Sequence, residues 1–148
     1  MSTSELDRRA APAYAALMED LYPPDLGEFQ EMALRAFAAL PGGFRARCGA
    51  VLIRVADFAD KDILGEMGID DPFELTGLYS GVDLTLKTND DIAPLPDEVW
   101  LYRRPILDEW AERGDTGIYE LVAHVLVHEI GHHFGLTDEE IERIEARG

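Results

Sequence analysis

Apolar positions fall at three-and-four spacing in two stretches of this chain. The first is Phe29, Met32, Ala33, Ala36, Phe37 and Leu40, which predicts an amphipathic helix over residues 26–40 that Pro41-Gly42-Gly43 stops. The second runs from Gly117 through Ile118, Leu121, Val122, Val125, Leu126, Val127, Ile130 and Phe134 with no proline. Its apolar residues cover nearly every side, so the helix they predict belongs inside a domain, with Asp115 or Thr116 as its N-cap. Between the two, the period changes. Residues 50–55 are rich in β-branched side chains and read as a strand, and residues 98–103 read as another. Residues 75–86 form an extended stretch that contains Gly77 and Gly81. A bulge, a close backbone approach, an edge strand open to a pairing peptide and a hairpin turn at Ser80-Gly81 all fit there.

Shorter elements fill the rest. A helix is expected over residues 60–67, closed by Gly68, and another from Pro105 to about residue 112, closed by Gly114. Residues 88–97 read as a polar loop, Arg45 and Arg47 sit in a basic loop, and a final helix covers residues 138–146. At the start, a polar lead over residues 1–9 precedes a helix over residues 10–21 that ends before Pro23-Pro24. The pattern predicts an α/β (α+β) fold in which a small mixed sheet of three or four strands packs against helices. Residues 1–25 are expected as a partly helical extension and residues 26–148 as one domain.

Composition narrows the class. A chain of 148 residues is long enough to enclose one real core, and 47% hydrophobic with 29% charged residues fits a globular protein rather than a disordered one. Thirteen basic against thirty acidic residues give a net charge of −17. That excess argues against a nucleic-acid partner and either favours basic peptides or proteins or serves solubility alone. Cys48 is the single cysteine, which excludes an intrachain disulfide framework and a cysteine-rich zinc ribbon. No apolar run approaches eighteen residues and no signal-peptide pattern opens the chain, so no membrane partner and a cytoplasmic location are expected.

The polar residues of the second helix carry the chemistry. His128-Glu129-Ile130-Gly131-His132 places two histidines four residues apart. In a helix they lie about 40° apart around the axis and about 6 Å apart along it, so both imidazoles reach one ion. Glu129 stands on the neighbouring flank, where a carboxylate can act on a water bound to that ion without being its ligand. Core histidines bonded to backbone carbonyls are the ordinary alternative; Glu129 between the pair, with a glycine and an acid following, favours zinc. His124 lies one turn upstream on the same stripe. One straight helix cannot present three imidazoles to a tetrahedral ion, because His124 and His132 are about 12 Å apart along it, so His124 is expected beside the site or in packing. His133 points about 100° from His132 and is expected to hydrogen-bond in the wall.

The segment from His128 through Gly135 to Asp138 resembles the extended zincin motif, in which two helical histidines and a glutamate are followed by a glycine turn and a third ligand. More narrowly, the chain resembles a small bacterial zincin-like metallopeptidase family. The stretches that carry this are Ala50-Val51-Leu52-Ile53-Arg54-Val55-Ala56-Asp57-Phe58, Leu75-Thr76-Gly77-Leu78-Tyr79-Ser80-Gly81, Val99-Trp100-Leu101-Tyr102-Arg103-Arg104-Pro105, and the helix with Phe134-Gly135-Leu136 after it. The resemblance implies a minimal zincin-like fold, zinc held by His128, His132 and Asp138, and Glu129 as catalytic base for peptide-bond hydrolysis.

Asp138 has a second reading, since Thr137 and Glu140 form a capping box that places it in the first turn of the last helix. Glu139 and Glu142 compete with it as ligands. No methionine follows the motif, as Met1, Met18, Met32 and Met67 all lie upstream, so a methionine turn is not expected and the cleft should be shallow or completed by a partner. Tyr79, Tyr102, Arg103 and His133 are the candidates for stabilising an oxyanion. The competing functional class is a non-catalytic module, in which a closed four-ligand zinc ties the long helix to the last one and the acidic surface binds a basic partner. An open metal position in a polar cleft would favour the enzyme.

Overall fold

The structure, a computed structural model, describes residues 23–81 and 96–147. The helix expected at residues 10–21, the end of the extended stretch and most of the polar loop fall outside them.

Helix α1 (Leu26–Ala38) begins at Asp25, whose carboxylate accepts from the Glu28 backbone while Glu28 reaches back to the Asp25 N–H, a complete capping box. Its buried stripe of Phe29, Met32, Ala33 and Ala36 follows the period read from the sequence. The basic loop expected next is instead a short helix, α2 (Gly42–Cys48). Phe44 and Cys48 stand one turn apart and are both buried, so packing draws the segment into helical form despite its two glycines. Strand β1 (Leu52–Ala56), helix α3 (Lys61–Glu66), a 3-10 turn (Pro72–Glu74) and strand β2 (Gly77–Ser80) follow. Strand β3 (Glu98–Tyr102) leads directly into helix α4 (Arg103–Arg113). This helix starts before Pro105 rather than at it. A proline in the first turn removes only an N–H that has no intrahelical partner, and Arg104 donates instead to the Asp57 carbonyl at 3.1 Å.

The sheet has the order β1-β3-β2 among the described residues. β1 runs parallel to β3, with Leu52 opposite Glu98, and β2 runs antiparallel to it, with Gly77 opposite Leu101. Alternation along β3 divides two clusters. Val99 and Leu101 face the main core with α1 and the long helix, whereas Trp100 and Tyr102 face a smaller cluster with Ala59, Leu64 and Leu75.

The long helix α5 (Ile118–His133) is the centre of that core. Neither Asp115 nor Thr116 caps it; Gly117 holds the N-cap position without a side-chain bond, and Thr116 donates to Asp115. Burial compensates. Leu121, Val122, Leu126 and Ile130 are each at most 1% exposed, and each fully buried aliphatic side chain contributes about 1.5–3 kcal/mol against about 1 kcal/mol for a cap. Gly135, at φ 73°, ends α5 in the left-handed region and turns the chain into α6 (Asp138–Arg147).

Helix α6 returns along α5 at very short range. A Cβ on Gly131 would stand 2.6 Å from Cγ1 and 2.8 Å from Cδ1 of Ile141, which is itself fully buried. Gly131→Ala therefore gains about 1 kcal/mol of helix propensity but overpacks this contact by about 1–3 kcal/mol. The expected outcome is a net destabilisation of up to about 2 kcal/mol in chemical denaturation.

Candidate metal centre

All four histidines of the chain lie on α5, as His124, His128, His132 and His133. The first three share a face. They form one polar stripe, and α6 packs along it. The capping box expected at the start of α6 is present: the Glu140 N–H donates to Thr137 Oγ1 at 3.2 Å, and the Thr137 N–H donates to Glu140 Oε1 at 3.3 Å. Asp138 thus stands in a capped first turn and also faces α5. Its Oδ1 is 3.3 Å from Nε2 of His132, and ligand atoms of His128, His132 and Asp138 lie within 4.8 Å of one another. Glu139 and Glu142 are exposed and join no such group.

Two imidazoles and one carboxylate are the donor set that zinc takes in open, water-bearing sites. Bonds of about 2.0–2.1 Å at tetrahedral angles put two donors about 3.3–3.4 Å apart, the spacing seen between His132 and Asp138. Burial of His128 holds its imidazole below the usual histidine pKa, with His124 adding to the effect and Glu145 opposing it. The neutral ring is the form that binds a metal. The residues present therefore fit the ion.

Glu129 points to the neighbouring flank of the helix, under β2. Its Cγ would be 3.1 Å from a Cβ on Gly77, and Val125 Cγ1 would be 2.9 Å from it, so the close-approach reading of Gly77 holds. Burial raises the Glu129 carboxyl above the usual range, while His132 and a backbone hydrogen bond from Tyr79 pull it down. A cleft of about 150 Å³ joins Glu129 and His128 to Thr76, Glu109, Arg113 and His124. His132 and Asp138 lie outside that cleft on the open surface, with side chains 55% and 79% exposed.

The four oxyanion candidates separate. Arg103 donates to the Pro24 carbonyl at 2.7 Å and pairs with Asp57 at 3.1 Å, which fixes it as a structural tie. Tyr102 is 1% exposed, and burial pushes its hydroxyl up to about 12. Tyr79 and His133 stack with centroids 3.8 Å apart, and both turn toward Asp97, to which the Tyr79 hydroxyl donates at 2.8 Å. His133 thus packs on Tyr79 and does not line the cleft at Glu129.

One residue of the stripe was not foreseen. Glu145 on α6 places Oε1 3.0 Å from Nδ1 of His124 and 3.3 Å from Nε2 of His128. It stands seven residues after Asp138, two helical turns along the same face, and that spacing was the available signal.

No curated protein matches the chain. The family model described as zincin-like metallopeptidase matches residues 48–147, which takes in the sheet, the histidine helix and α6. No described helix is long and apolar enough to cross a membrane. A fold of this kind carries a metal, and the histidine and carboxylate groups of α5 and α6 are suited to hold it. On the extent of that match, the chain belongs to the zincin-like metallopeptidase family.

Proposed function

We infer that this protein is a zinc-dependent peptidase, with zinc held by His128, His132 and Asp138 and with Glu129 as general base. The observation that carries the reading is the pairing of a three-donor group with a half-buried carboxylate one residue from its first histidine. Zinc held by these residues would lower the pKa of a water and polarise a carbonyl. Glu129 takes a proton from the attacking water and returns it to the departing amine, and its raised pKa suits both tasks. Among the described residues β2 lies at the sheet edge above Glu129, where an extended peptide would pair with it while its scissile bond faced the carboxylate. The charge of −17 favours basic peptides as substrates. Among the described residues this group has three protein donors, which would leave a fourth tetrahedral position open and supports the enzyme over a closed structural zinc.

The decisive experiment is a diverse-peptide cleavage screen on zinc-loaded protein beside its Glu129→Gln variant. Wild type is expected to bind one zinc per chain, and His128→Ala to bind none by elemental analysis; equal zinc in both would reject the metal reading. Glu129→Gln should keep the zinc and lose about a hundredfold or more in rate, the contribution of a positioned base. Cleavage at the parental rate would assign the activity to another residue or a contaminant.

The same variant tests the burial of Glu129 without metal. A carboxyl whose folded pKa is raised is easiest to bury protonated, so its cost is absent below the unfolded value and grows as pH rises to the folded one. Metal-free Glu129→Gln should therefore melt above metal-free wild type at neutral pH, and the two should converge toward about pH 4. A gap that widened on acidification would contradict this assignment.

A further inference from the structure

Nε2 of His128 and Oε1 of Glu145 are both buried, and neither has a hydrogen-bond partner among the described residues. They face each other at 3.3 Å. An imidazole nitrogen and a carboxylate oxygen are costly to bury at this distance unless a proton or a metal ion lies between them. Nδ1 of His124 closes the group at 3.0 Å from the same oxygen. His124, His128 and Glu145 offer one ligand atom each, all within 4.8 Å, as do His128, His132 and Asp138.

We propose that His124, His128 and Glu145 form a second seat for a divalent transition ion such as zinc, overlapping the first through His128. The donor chemistry is the same in both, two imidazoles and one carboxylate, and the 3.3 Å spacing again matches the edge of a tetrahedron built on bonds of about 2.0–2.1 Å. The architecture repeats as well. Each seat takes an i, i+4 histidine pair from α5 and one acid from α6, and the antiparallel helices match the step from His132 back to His124 with the step from Asp138 forward to Glu145. A neutral imidazole has one lone-pair nitrogen, so His128 serves one ion at a time and the seats exclude each other. The second is the more enclosed, with side-chain exposures of 39%, 24% and 31% against 55% and 79% for His132 and Asp138. A cavity of about 340 Å³ between α1, α5 and α6 has His124 and Glu145 in its wall and provides a way in. An ion in this seat is withheld from His132 and Asp138, so the chain holds its metal in a position where the hydrolytic site is incomplete.

This inference rests on the zinc reading above, and the test separates the two. Zinc affinity is measured by chelator competition in wild type, Asp138→Ala, Glu145→Gln, and Asp138→Ala combined with either Glu145→Gln or His124→Ala. Asp138→Ala is expected to retain one zinc per chain within about tenfold of wild-type affinity, and each double variant to fall about a hundredfold or more below it. Glu145→Gln alone should change affinity by no more than about threefold, whereas a carboxylate that merely orients a ligating ring costs about 10–100-fold when removed. Metal loss in Asp138→Ala as complete as in His128→Ala would overturn the second seat and leave the first intact. So would double variants that bind as well as Asp138→Ala. Wild-type affinity in His128→Ala would instead reject the zinc reading itself.

Discussion

The contact between Ile141 and the bare backbone of Gly131 sets the distance on which the donor groups depend. α5 and α6 each carry part of every group, and no group can close unless the helices come together closely enough for short carboxylates to reach imidazole nitrogens. A side chain at residue 131 would enter the space that Ile141 fills. The apolar contact therefore positions the polar one. The energy comes from burial of aliphatic residues on both helices, and the charged groups are carried into place at its expense.

On the neighbouring flank a second glycine plays the matching part. Gly77 lets β2 lie against Val125 and Glu129, so the carboxylate is pressed between a helix and a strand rather than left in water. Burial then raises its proton affinity, while the Tyr79 backbone and His132 limit the rise. One helix thus presents histidines to α6 and, on the adjoining flank, an acid to β2. Its apolar remainder holds it rigid between them.

Much of this was legible in the chain because periodicity and spacing are local. The three-and-four pattern announced α1 and α5, the β-branched run announced β1, and His128, Glu129, His132, Gly135 and Asp138 fall in one continuous stretch. What was not legible depends on packing between distant segments. α2 forms because Phe44 and Cys48 find the core, against the propensity of the two glycines at its start. α4 begins two residues before Pro105, because β3 feeds straight into it and Asp57 satisfies the freed N–H of Arg104. Arg103 reads as a candidate for chemistry until Pro24 and Asp57 are seen to hold it. Glu145 looks like a solvated acid on a surface helix, and only the antiparallel return of α6 brings it to His124 and His128.

The four-residue connection from Phe134 to Thr137 consequently acts as a ruler. Helices rotate about 100° per residue, so one residue added to or taken from this link would swing Asp138 and Glu145 together off the histidine stripe. Changes in the length of the link are therefore costlier than point changes that spare the Gly135 turn, the Thr137 cap and the packing of Phe134 and Leu136. Chains built this way should accordingly keep a fixed number of residues between the last histidine and the first acid of α6.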